Sequence, residues 1–169
     1  MISTIGYEGV SLEEFIATLK VARVDIVIDV RERAQSRRKG FSKNALADAL
    51  EVAGIEYEHF PELGDPKEGR DAARSGDIGA FQRIYSQRIK QKDALAAIDE
   101  IIDISISSHA CLLCFERNPN VCHRKLITDV LEKKNQIKAT HLGVRKNESL
   151  KPIKRRVLHT RESVAPSVG

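Results

Sequence analysis

ACLLCFERNPNVCHR, residues 110–124, holds the key to this chain. Its first half, Ala110 to Phe115, is uninterrupted apolar sequence, as in a central parallel strand covered on both faces. Its second half turns polar through Asn118, Pro119 and Asn120, and Leu126, Ile127, Val130 and Leu131 follow at the spacing of a helix face packed on a core. A buried strand feeding such a helix is half of a βαβ unit, and the rest of the chain repeats the pattern.

Ile2 to Ile5 reads as a first strand, and Ser11 with Glu14 forms a capping box before a helix that turns Leu12, Phe15, Ile16 and Leu19 inward. Ile26 to Val30 is a β-branched second strand, after which Ser42 opens a helix with Leu46, Ala49, Leu50 and Ala53 inward, ended by Gly54. Ile55 to Phe60 supplies a third strand. Residues 61–108 read as an extended crossover with two helices, one after Asp77 and one after Asp93, and Ile137 to Leu142 as the last strand. Alternating strands and helices imply an α/β fold, a three-layer parallel sheet of about five strands, with right-handed crossovers making 3-2-1-4-5 the simplest order. The expected organisation is one domain over residues 1–142 and a basic, partly flexible extension over 143–169, rich in Lys and Arg and carrying Pro152 and Pro166.

The 169 residues are 41% hydrophobic and 31% charged, the balance of a globular chain, and no apolar run approaches the roughly 20 residues of a membrane span. No secretory signal is read at the N-terminus, and three closely spaced cysteines make a poor disulfide framework, so reduced thiols and a cytoplasmic location are expected. A net charge of +4 admits an anionic small molecule or a nucleic acid as partner without requiring one. Oligomeric state is left open.

In a parallel sheet, residues that end successive strands converge at one rim, where ligands of open α/β sheets bind. The residues so placed are Gly6, Tyr7 and Glu8 after strand 1, Asp29 and Arg31 at strand 2, His59 at strand 3, and Glu116, Cys122, His123 and Arg124 after strand 4. Gly6-Tyr7-Glu8-Gly9 suits either an anion cradle or a plain strand-to-helix turn, and Glu8 suits a cation, a sugar hydroxyl or a proton in transit. Asp29 interrupts an apolar strand, so it either pairs with Arg31 two residues on or works as a carboxylate on a substrate. Ser36, Arg37, Arg38 and Lys43, in the loop and helix start that follow, suit phosphate contact or solvated surface charge.

Three chemistries compete for residues 114–124. Cys111, Cys114, Cys122 and His123 resemble zinc spacing, but a strand over 110–115 points Cys111 and Cys114 to opposite faces, so no metal or cofactor is expected. Cys122 beside His123 and Arg124 has the surroundings of a reactive thiolate, although it also falls on the core stripe of the following helix as a small buried side chain. Tyrosine-phosphatase-like chemistry is not expected at these cysteines. The third reading joins Glu8, Asp29 and Glu116 as acid or base groups to Arg31, His123 and Arg124 in one mixed pocket, suited to hydrolysis or transfer on a phosphorylated or nucleotide-like substrate. A non-catalytic nucleic-acid-binding module and thiol chemistry at Cys122 are the alternatives.

The blocks IGYEG (5–9), IDVR (28–31), SRRKGFSK (36–43), EYEHFPELGDP (56–66) and LLCFERNPNVCHR (112–124) together resemble the bacterial domain-of-unknown-function family numbered 488. The resemblance runs from about Ile2 to His141 and implies a single Rossmann-like α/β domain. It marks Gly6, Tyr7, Glu8, Asp29, Arg31, Ser36, Arg37, Phe41, His59, Leu63, Gly64, Glu116, Cys122, His123 and Arg124 as motif positions without assigning a reaction. Ala34 stands where relatives often carry a proline.

Overall fold

The computed structural model describes residues 1–144, so most of the basic extension expected over 143–169 lies outside the described residues. In chain order the elements are β1 (Ile2–Gly6), α1 (Leu12–Val21), β2 (Ile26–Asp29), α2 (Lys43–Val52), β3 (Glu56–His59), α3 (Lys67–Arg74), α4 (Ile78–Arg88), α5 (Lys92–Ser107), β4 (Ala110–Cys114), α6 (His123–Asn135) and β5 (Ala139–Leu142). The Ser11–Glu14 capping box forms in both directions, and Asp77 caps α4 through the amide of Ala80. Ser42 precedes α2 without a side-chain bond, and Gln91, not Asp93, is the residue before α5. The extra helix α3 was not legible, because KEGRDAAR carries charge on most of its turns and only Gly69 is buried.

The five strands form one parallel sheet in the order β3-β2-β4-β1-β5. The fold class is the expected one, but β4 lies between β1 and β2, where the simplest order put β1 beside β2. Right-handed crossovers permit either arrangement; side chains decide. Ala110-Cys111-Leu112-Leu113-Cys114 offers no polar side chain other than its thiols and takes the centre, buried throughout. β1 instead carries buried Ser3 and Thr4, whose hydroxyls need partners. Ser3 Oγ finds the His109 ring at 3.0 Å, and Thr4 Oγ1 lies 2.8 Å from Nδ1 of His141 on the neighbouring β5.

Helices α1 and α2 cover one face, where Phe15, Leu19, Leu46 and Leu50 meet Ile5, Val27, Cys111 and Leu113. Helices α4, α5 and α6 cover the other, where Phe81, Tyr85, Ile98, Ile127 and Leu131 meet Ile2, Ile28 and Leu112. The loops leaving β1 and β2 therefore run to one face and the loop leaving β4 to the other, which opens the rim around the end of β4. Val144 is buried in the α1/α2 core, just past the expected end of the domain. Among the described residues no helix is long and apolar enough to cross a membrane.

Candidate functional site

Strand alternation divides the expected single pocket in two. Asp29 and Arg31 face α1 and α2, and Cys114, in register with Gly6, faces α6.

On the α1/α2 side Asp29 is fully buried and Arg31 nearly so. Arg31 Nε donates to one Asp29 oxygen at 2.7 Å and Nη2 to the other at 2.5 Å, while Nη1 donates to the Tyr7 hydroxyl and to the Phe41 carbonyl, each at 2.9 Å. Tyr57 also donates to Asp29, at 2.7 Å. Although burial works to lower it, the Asp29 carboxylate holds the Arg31 guanidinium above its ordinary range, and burial pushes the Tyr57 phenol up. With these donors engaged inside the protein, Arg31 has little left for a phosphate, so Asp29 and Arg31 form an internal ion pair that fixes the loop after β2. His59 joins this side through Nε2, 2.8 Å from the Arg31 carbonyl oxygen. The Tyr7 ring stacks on Phe41 with centroids 4.3 Å apart.

On the α6 side the end of β4 and the start of α6 bring together Cys114, Glu116, Cys122, His123 and Arg124. Glu116 Oε2 accepts from Cys114 Sγ at 3.0 Å and lies 3.1 Å from Cys122 Sγ. Nδ1 of His123 is 3.7 Å from Cys114 Sγ and 3.9 Å from Cys122 Sγ, and Nε2 reaches the Val30 carbonyl at 2.8 Å. A carbonyl only accepts, so Nε2 carries a proton and Nδ1 is the atom presented to the sulfurs. Arg124 is 1% exposed and donates to Cys122 Sγ at 3.3 Å, Thr4 Oγ1 at 3.2 Å and the Glu116 carbonyl at 2.5 Å. Tyr85 packs its ring 5.2 Å from that of His123 and bonds the Leu63 carbonyl.

This packing sets the charges. Burial raises the Cys122 thiol, but its bond with Cys114 and the His123 and Arg124 charges hold it well below its ordinary value. Burial and the bond with Cys122 push the Cys114 thiol well up. Burial lowers His123, yet the charge on Cys122 outweighs it and brings the imidazole to about 9. Burial, then the charge on Cys122, raises Glu116. Nearby Asp65, pushed up to about 6 by burial, has one carboxylate oxygen, Oδ1, that is buried without a hydrogen-bond partner among the described residues.

The remaining expected residues are peripheral. Glu8 is exposed and accepts from the Arg117 amide at 3.0 Å. Gly6 lies under the loop from β4, where a Cβ would come 1.9 Å from the Glu116 carbonyl oxygen, so its role is close approach. Ser36 Oγ accepts from the Arg38 amide; Arg37, Arg38 and Lys43 are exposed, Arg38 being tied to the Val10 carbonyl. Asn118 caps a short 3-10 turn at Pro119–Val121, and Cys122 itself is the residue before α6.

The sequence reading weighed Cys114 only as a zinc ligand and set it aside, and it did not single out Phe115. Cys111 does face away, as strand alternation requires, but Cys114 joins Cys122 and His123, and their ligating atoms all lie within 4.8 Å of one another. Phe115 is 42% exposed at the rim with its ring edge-on to Tyr7.

A parallel α/β domain with a buried sulfur, imidazole and carboxylate cluster at the rim of its central strand is the class of protein that the fold and site define. The chain belongs to the family described as Domain of unknown function DUF488, whose model matches residues 11–131. That span takes in every block named above except IGYEG. No curated protein and no solved structure matches the chain.

Proposed function

We propose that this protein is a cytoplasmic enzyme acting on a nucleotide or nucleoside-like substrate, a transferase or hydrolase whose proton-handling group is Glu116. The observation that carries the reading is the pair Phe115 and Glu116 at the end of β4. An exposed aromatic ring suits base stacking, and next to it stands the one carboxylate of the buried cluster that keeps some contact with solvent. Exposed Arg33, Arg37, Lys39 and Lys43 in the loop after β2 and at the start of α2 suit the phosphate of such a ligand.

Titration calorimetry against a panel of nucleosides, nucleotides and short oligonucleotides tests this. At least one nucleoside or nucleotide is expected to bind, with affinity falling about tenfold or more in Phe115→Ala, in keeping with the strength of a stacking contact. No binding across the panel, or binding indifferent to both Phe115→Ala and Arg37→Ala, overturns it. The exposed basic residues also favour a second reading, a non-catalytic nucleic-acid-binding module; it is supported instead if oligonucleotides bind with steep salt dependence and Glu116→Gln changes nothing. Thiol chemistry at Cys122 draws support from its contacts with His123 and Arg124, but Cys122 is only 2% exposed and its sulfur lies against Glu116, a setting better suited to a ligand than to a nucleophile.

A further inference from the structure

We propose that Cys114, Cys122 and His123 bind one zinc ion through their two Sγ atoms and Nδ1, with the fourth position facing Glu116. Four electron-pair donors of different kinds converge here, from the end of β4 and the start of α6. Among the three ligand atoms Nδ1 lies 3.7 and 3.9 Å from the two sulfurs and all three lie within 4.8 Å of one another, while Glu116 Oε2 stands 3.0 and 3.1 Å from the sulfurs. In a tetrahedral zinc site, with bonds of about 2.0–2.3 Å, neighbouring ligand atoms lie about 3.3–3.8 Å apart, close to the two imidazole–sulfur edges, so His123 and the cysteines need little adjustment to close on an ion.

The surroundings are those of a ligand set. The Nε2 bond to the Val30 carbonyl fixes the imidazole so that Nδ1 faces the sulfurs, which is how metal-bound histidines are held. A half-buried carboxylate oxygen within 3.1 Å of both sulfurs puts acceptors against one another unless protons or a cation lie between them. Arg124 is a buried guanidinium whose bonding partners among the described residues include no carboxylate, so it calls for negative charge from another source. Two thiolates, the Glu116 carboxylate and a divalent ion sum to one negative charge, which Arg124 balances. Thiolate and imidazole donors select zinc over magnesium or calcium, which prefer oxygen.

Three protein ligands with one side left toward a half-buried carboxylate is the pattern of a catalytic zinc site rather than a closed structural one. A water in the fourth position would pass its proton to Glu116 and stay on the ion as hydroxide. That catalytic role rests on the reading of Glu116 proposed above; the binding of the ion does not.

The test uses the full chain expressed in zinc-supplemented medium and passed over a desalting column. Elemental analysis is expected to give about one zinc per chain, and the chelated protein titrated with cobalt(II) to develop thiolate-to-cobalt charge-transfer absorption and the strong visible bands of a four-coordinate site. Cys114→Ser, Cys122→Ser and His123→Ala should each bind at least about tenfold more weakly, and Cys111→Ser, on the opposite face, as well as the unmodified chain. Absence of stoichiometric zinc together with a cobalt spectrum lacking thiolate bands overturns the proposal. So does equal loss in Cys111→Ser. Should the ligand variants fold poorly, the cobalt spectrum of the unmodified chain decides alone. Zinc bound with no ligand from the nucleotide panel refutes the substrate reading only; nucleotide binding with no metal refutes this inference only.

Discussion

Nε2 of His123 donates to the carbonyl oxygen of Val30 across 2.8 Å, joining the first residue of α6 to the chain leaving β2 over the end of the central strand. Val30 in turn donates its amide to the Leu113 carbonyl at 3.1 Å, so β2, β4 and α6 are held at one point, and the orientation of the imidazole is set by backbone.

His123→Ala removes that bond, leaves the buried Val30 carbonyl without its partner and opens space beside the Tyr85 ring. A loss of about 2–3 kcal/mol is expected from an unpaired buried acceptor together with lost packing. Urea unfolding of the metal-free protein measures it. A change below about 0.5 kcal/mol, the range of an ordinary surface substitution, would show that the bond does not pin the rim.

Asp29→Ala should be far more damaging than its position at a rim suggests. It leaves the Arg31 guanidinium buried against Tyr7 and Phe41 with its counter-charge gone, a situation that costs about 3–5 kcal/mol. Replacing both partners by apolar residues, Asp29→Leu with Arg31→Met, is expected to cost less than Asp29→Ala alone. Chemical denaturation of the two variants gives the comparison. A double variant less stable than Asp29→Ala would mean that the two act independently.

Gly6→Ala tests how closely the β4 loop is laid on β1. The new Cβ would meet backbone rather than a mobile side-chain end, so either the sheet or the Glu116 carbonyl must move, and that carbonyl also accepts from Arg124. The expected result is destabilisation of about 2 kcal/mol or more, in line with overpacking of a tight site. It should be accompanied by weaker cobalt binding if the loop is what shifts. Thermal unfolding and a cobalt titration of one preparation report both.

What could be read from the sequence followed from periodicity. The ACLLC run announced a central strand, and alternation along it put Cys111 on the far face from Cys114. The same rule applied to strand 2 would have set Asp29 and Arg31 on one face and the Cys114 side on another, but only after the sheet order was known. Convergence at the end of parallel strands says which residues share a rim, not which share a face of it. The order of β1 and β4 was hidden because it depends on partners distant in sequence, such as His141 for Thr4 and His109 for Ser3. Asp65 was beyond reach for a similar reason: GDP at residues 64–66 reads as a turn, and nothing local says that its carboxylate is folded in near His123.

Asp65 offers a pH dependence whose sign is fixed by its surroundings. Burial raises its carboxyl from 3.8 to about 6, with Cys122 and Glu32 adding to the effect and His123 and Arg70 opposing it. The folded protein thus holds this proton more tightly than the unfolded chain. The stability it confers is fully present below about pH 4, falls as pH rises from about 4 to 6, and is constant above, a total of about 2–3 kcal/mol at 1.36 kcal/mol per pH unit. Asp65→Asn keeps the shape, which matters because a Cβ on Gly69 would lie 2.1 Å from Asp65 Oδ1, and it removes the charge. In metal-free protein the variant should match the unmodified chain near pH 4 and exceed it in unfolding free energy at pH 7.5. A variant less stable at pH 7.5 would show that the Asp65 carboxylate is bound to a cation in the folded state, its charge compensated and not merely buried.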